Sequence, residues 1–97
     1  MLSFLPKTPN EVQLSLKEKF KKQRKSLKIT QQNLANKSGV SLGSIKRFEQ
    51  TGQISLESLL KIAFVLECLG DFEQVCDREE IESFGSIEEI IGEKNND

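Results

Sequence analysis

The 97-residue sequence predicts an all-α protein: a bundle of about five short helices with an arm before it and an acidic tail after it. Three observations carry this. Apolar residues recur at helical spacing in successive windows, as in Val12–Leu16–Phe20 and Leu56–Leu59–Ala63–Leu66. A residue that caps helices opens each window: Asn10, Thr30, Ser41 or Ser55. The connections are short, and Gly39 and Gly52 stand where the chain must turn.

Residues 1–10 hold Pro6 and Pro9 and read as an extended arm. Leu2, Phe4 and Leu5 are too apolar for a free tail, so the arm is expected to cover part of the core or a dimer seam. Residues 11–76 form the folded domain. Its first helix is expected from about Asn10, with Glu11 suited to the positive helix end. Val12, Leu16 and Phe20 make the buried stripe. The next member of that stripe is Arg24, a charge on an apolar face, and an unpaired buried charge costs several kcal/mol. Glu49 is the matching anomaly on the inner side of the third helix. A largely buried Arg24–Glu49 salt bridge follows; the alternative is that Arg24 snorkels to solvent. Lys17, Lys19, Lys21, Lys22, Lys25 and Lys28 surround the stripe, and Leu27 and Ile29 close the core.

Thr30 to Gln50 (TQQNLANKSGVSLGSIKRFEQ) reads as two short helices joined by a tight turn. Leu34, Ala35 and Ser38 share one face, and the small Ala35 lets the next helix approach. Gly39 takes the turn and Val40 plugs the corner. Ser41 caps the following helix, whose inner face is Ile45, Phe48 and Glu49. Its outer face, Ser41, Leu42, Ser44, Lys46 and Arg47, is polar and basic. After the turn at Gly52, Ile54 anchors the chain and Ser55 caps a helix from Leu56 to about Leu69. Leu56, Leu59, Ala63 and Leu66 would face the core. Leu60, Phe64 and Val65 stay apolar on other sides and ask for a further burial surface. Homodimerisation supplies one, and the C-terminal segment folding back supplies another. Gly70 ends this helix, and Asp71 caps a short one with Phe72, Val75 and Cys76 on its apolar side. Residues 77–97 form the acidic tail, in which Phe84, Ile87, Ile90 and Ile91 mark a weak amphipathic segment. It reads as a segment that orders on a partner or packs on its own domain; both readings stand.

The net charge of −1 hides a polarity. Residues 1–50 hold 11 Lys/Arg and 3 Asp/Glu, whereas residues 51–97 hold 3 and 12, giving +8 and −9. Such a chain suits one polyanionic partner and one of another kind. Cys68 and Cys76 without any histidine make a zinc site implausible, and the expected state is two reduced thiols. No leader pattern and no apolar run of ~20 residues stands out, so a cytoplasmic protein without membrane contact is expected. No glycine-rich phosphate loop and no nucleophile–base spacing suggests an enzyme, and no cofactor is expected.

The order Gln31, Ala35, Gly39, Val40, Ile45 resembles the helix-turn-helix of the Xre family, the lambda-repressor-like DNA-binding domains, over about Val12 to Leu69. The resemblance implies a lambda-repressor-like bundle and a sequence-specific transcriptional repressor that is dimeric and autoregulatory. The helix from Ser41 would enter the major groove, with Ser41, Leu42, Gly43, Lys46 and Arg47 at the bases and Gln31, Gln32 and Ser44 on phosphates. Leu42, Gly43 and Arg47 match the family's main base readers, and the first two lack hydrogen-bonding side chains. Readout then leans on DNA shape or dimer spacing. The resemblance also implies an Arg24–Glu49 pair and a dimer through Leu60, Phe64 and Val65. Such a dimer reads an inverted repeat with centres about 34–36 Å apart. The alternative is an interaction adaptor that keeps the fold with little DNA binding.

A narrower resemblance covers SIKRFEQTGQISLESLLKIAFVL, DFEQ, SIEEII and the opening LPKTPNEV. These runs are similar to antitoxin subunits encoded beside HipA-like serine/threonine kinases. The implied partners are such a toxin kinase and, in some systems, an accompanying small subunit.

Overall fold

Thr8 and Glu11 close the first helix between them. The Thr8 hydroxyl accepts from the Glu11 amide and the Glu11 carboxylate accepts from the Thr8 amide, both at 3.1 Å, a reciprocal cap that satisfies two orphan donors. The computed structural model describes residues 7–77, and among them all regular structure is helical. The elements are α1 (Pro9–Ser26), α2 (Gln31–Ser38), α3 (Leu42–Thr51), α4 (Leu56–Val65) and a short 3-10 helix, Leu69–Gln74. The first cap is therefore Thr8 rather than Asn10. Pro9 takes the first helical position, where its missing N–H costs nothing. Residues 2, 4 and 5, expected to cover the core, lie outside the described residues, as does the tail segment from Phe84 to Ile91.

The other caps follow the same chemistry. The hydroxyls of Thr30, Ser41 and Ser55 each accept from the amide three residues on. Gly39 and Gly52 end α2 and α3 in the left-handed region, at φ 80° and 83°. At Gly52 space matters too, since an added Cβ would lie 3.2 Å from the Gln13 carbonyl oxygen. Gln13 itself donates to the Gly52 carbonyl at 2.8 Å and pins α1 to the end of α3.

The core is Phe20, Leu34, Ala35, Val40, Ile45, Phe48, Leu59, Ile62, Ala63 and Leu66. Phe20 meets Phe48 edge to face, with ring centroids 5.5 Å apart, an arrangement the ring quadrupoles favour. Several expectations change. Val12 is 43 % exposed, because the stripe outruns the core at the start of α1. Leu56 is 67 % exposed for the same reason at the start of α4, and Ile62 takes the central place on that helix instead. The fourth helix stops at Val65 rather than near Leu69. Glu67 adopts φ 65°, Cys68 bonds back to the Ala63 carbonyl at 2.9 Å, and Gln23 donates to the Leu66 carbonyl at 2.8 Å. These bonds satisfy the carbonyls that a longer helix would use. The 3-10 helix starts at Leu69 without a side-chain cap, so Asp71 does not open it. Its Phe72 packs on Phe20 at 6.1 Å between centroids, whereas Val75 and Cys76 stay exposed. Cys68 and Cys76 are both free thiols.

Candidate nucleic-acid interface

α3 is gripped from behind by a buried ion pair. Arg24 and Glu49 are 7 % and 6 % exposed. The guanidinium meets the carboxylate with two bonds, Nε to Oε2 at 2.7 Å and Nη2 to Oε1 at 3.0 Å. This fork matches the planar geometry of both groups. The remaining capacity is used as well: Nη1 donates to the Ile29 carbonyl at 2.9 Å, and Gln31 Nε2 donates to Glu49 Oε1 at 2.8 Å. Among the described residues no buried side-chain polar atom lacks a partner. Burial pushes the Glu49 carboxyl up. The hydrogen bonds from Arg24 and Gln31, with the Arg24 charge, outweigh it and hold the group below the usual carboxylate value. Four segments thus meet at one ion pair: the end of α1, the Ile29 linker, the start of α2 and the inner side of α3.

Pointing the other way, α3 has a different character. Ser41, Gly43, Lys46, Arg47 and Gln50 are exposed, and Leu42 and Ser44 are half-buried. Leu42 packs partly against the core. Ser41 caps the helix, accepting from the Ser44 amide at 3.1 Å and donating to the Ser44 hydroxyl at 2.9 Å. A side chain at Gly43 would find nothing within 4 Å. No internal contact requires glycine there, and it costs roughly 1 kcal/mol of helix propensity. Arg47 Nε donates to the Gln53 side-chain oxygen Oε1 at 3.2 Å, and Nη2 donates to the same atom.

The residues singled out for phosphate contact divide. Gln32 is exposed, and its amide donates to the Asn36 side chain at 3.1 Å. Gln31 is half-buried and turned onto Glu49. Ser44 shares a shallow depression with Arg47, Gln53, Ser55 and Ser58. Gln53, Ser55 and Ser58 were not legible as neighbours of Arg47. Ser55 signals only a cap in sequence, and its position beside α3 depends on the turn at Gly52.

Leu60 and Val65 are half-buried, and Phe64 is 71 % exposed. The three line one groove with Lys37, Lys61 and Leu69. Among the described residues no group of three metal-ligating side chains occurs, and no helix is long and apolar enough to cross a membrane. Burial, and then the Asp71 charge, push the Cys68 thiol up, away from the thiolate a nucleophile needs.

A helix-turn-helix family model matches residues 20–68, from the Phe20 that packs on α3 to Cys68, just past α4. The chain belongs to this Xre-like helix-turn-helix family. It is also 36 % identical over 66 residues to the cryptic phage CTXphi transcriptional repressor RstR of Vibrio cholerae serotype O1 (strain ATCC 39315 / El Tor Inaba N16961). That match takes in 67 % of this chain and 57 % of the relative, so the chain spans somewhat over half of the relative's length. No solved structure matches.

Proposed function

We propose that this helix-turn-helix protein is a DNA-binding transcriptional repressor without enzymatic activity. The outward side of α3 lies in the major groove. Ser41, Leu42, Gly43, Lys46 and Arg47 face the bases, while Gln32 and Ser44 hold the flanking phosphates together with Gln31, whose Nε2 gives one proton to Glu49 and keeps a second for the phosphate. One observation carries the reading. Gly43 lies in the first turn of α3 on its exposed side, and a Cβ there would meet no neighbour within 4 Å. A glycine that costs stability and meets no neighbour fits a backbone that something outside must approach closely. Family membership and the phage repressor relative support the same conclusion.

The exposed Phe64 with Leu60 and Val65 supports a homodimer joined along α4. Two α3 helices so related read an inverted repeat with centres about 34–36 Å apart. The runs that resemble antitoxins add a HipA-like kinase as a partner, which co-purification with the product of a neighbouring kinase gene tests.

The experiment is binding to a duplex taken from upstream of the protein's own gene, followed between 50 and 200 mM salt. The affinity falls linearly on logarithmic axes, and Lys46→Ala with Arg47→Ala weakens it at least about tenfold. Weak binding that neither substitution changes would favour the adaptor reading, to which the half-buried Leu42 and the Arg47–Gln53 bond lend support.

A further inference from the structure

Along one flank of α1 runs an apolar groove. Val12, Leu16 and Phe20 form one wall, and Cys68, Phe72 and Val75 form the other. Val75 is 65 % exposed, and with Val12 it leaves apolar surface at the groove's margin. Lys19 and Asp71 stand on the rim, and Lys21, Lys22 and Lys25 line the adjoining depression with Glu18, which is paired to Lys17. This lysine face is not on the DNA side. Phe20 and Arg24 turn inward to α3, so helical phase points Lys22 away from it. Four lysines within seven residues of α1 therefore suit an anionic partner other than DNA at α3.

The chain carries such a partner at the groove's edge. Residues 78–97 follow directly after Val75–Asp77 and hold seven acidic residues against two basic ones, a net charge of −5. Within them Phe84, Ile87 and Ile91 stand at i, i+3 and i+7, the spacing of one helical face. We propose that residues 83–92 of the same chain dock in this groove as an amphipathic helix, with the acids around them beside Lys19 and Lys22. The dimensions agree. Ten helical residues span about 15 Å, and Val12 to Gln23 along α1 covers about 16 Å. The seven residue steps from Asp77 to Phe84 reach about 23 Å when extended, enough to bring the segment back over α1. The groove on α4 fits this occupant less well: Lys37 and Lys61 against Glu57 leave +1 there, whereas Lys19, Lys21, Lys22 and Lys25 against Glu18 and Asp71 leave +2 here.

The test compares backbone amide shifts of the full chain with those of its Ile87→Glu/Ile91→Glu variant. Neither position belongs to the described core, so the body of the protein stays folded. The expected shifts fall on Leu16, Lys19, Gln23 and Phe72, and Lys19→Glu/Lys22→Glu moves the tail resonances in the same sense. Contacts between the Ile87 or Ile91 methyls and the Phe72 ring persist on dilution. Shifts confined to residues 78–97 would overturn the proposal. So would shifts on Leu60 and Phe64, or contacts detected only between differently labelled chains, which would assign the groove to a second copy.

Discussion

The two sides of α3 follow opposite rules. On the inner side every polar atom is spoken for: Glu49 takes bonds from Arg24 and Gln31, and Arg24 also holds the Ile29 carbonyl. On the outer side a Cβ at Gly43 would meet nothing, Lys46 is exposed, and the Arg47 side chain bonds only an exposed glutamine. The inner side fixes where the helix lies, and the outer side is free to serve something else. Stability and binding should therefore separate residue by residue on one ten-residue helix.

The largest test of that separation is Arg24→Ala. It strands a buried carboxylate, and breaking such a pair costs about 3–5 kcal/mol. At roughly 4–8 °C per kcal/mol for a domain this size, thermal unfolding should move by well over ten degrees. The apolar pair Arg24→Met/Glu49→Leu should recover most of that loss. An unchanged melting temperature for Arg24→Ala would erase the contrast between the two sides.

Acid probes the same carboxylate. The folded value of Glu49 lies below its unfolded value, so its contribution is complete above the unfolded value of about 4.3. It is lost as the pH falls through the lower folded value. Urea titrations from pH 6 to pH 2.5 should show stability falling in that window, with a smaller slope in Glu49→Gln.

On the outer side Arg47→Ala should weaken DNA binding by about 1–3 kcal/mol and leave the unfolding free energy within about 0.5 kcal/mol of the parent. Gly43→Ala sharpens the comparison further, because its two readouts move in opposite directions. Helix propensity stabilises the fold by up to about 1 kcal/mol, while the new methyl group weakens binding. Tighter binding by this variant would remove the argument for close backbone approach. The smallest effect belongs to Lys28, which sits at φ 59° between α1 and α2. Lys28→Gly relieves that strain and should raise stability by less than about 1 kcal/mol, read from chemical denaturation.

Much of this was legible in the residues. Arg24 continues a stripe of Val12, Leu16 and Phe20, and a charge in that register needs an opposite charge on a facing helix. Glu49 was the one candidate with the same anomaly. The caps at Thr30, Ser41 and Ser55 and the turns at Gly39 and Gly52 follow from local chemistry alone. What failed was local pattern extended past the body of the fold. Val12 and Leu56 obey the helical period but lie beyond the core's edge, which periodicity does not mark. The early end of α4 was hidden because it depends on Gln23, a residue 43 positions from the carbonyl it caps. At the candidate site, Lys46 and Arg47 follow from the period of α3. The turn of Gln31 onto Glu49 and the approach of Gln53 to Arg47 are tertiary contacts that no local pattern encodes.

The most direct measurement is the change in backbone amide shifts when a duplex from upstream of the gene is added to the labelled protein. The account predicts that the largest changes fall between Ser41 and Arg47, with smaller ones at Gln32. Changes that leave this segment still and gather on the lysines of α1 or around Phe64 would contradict it.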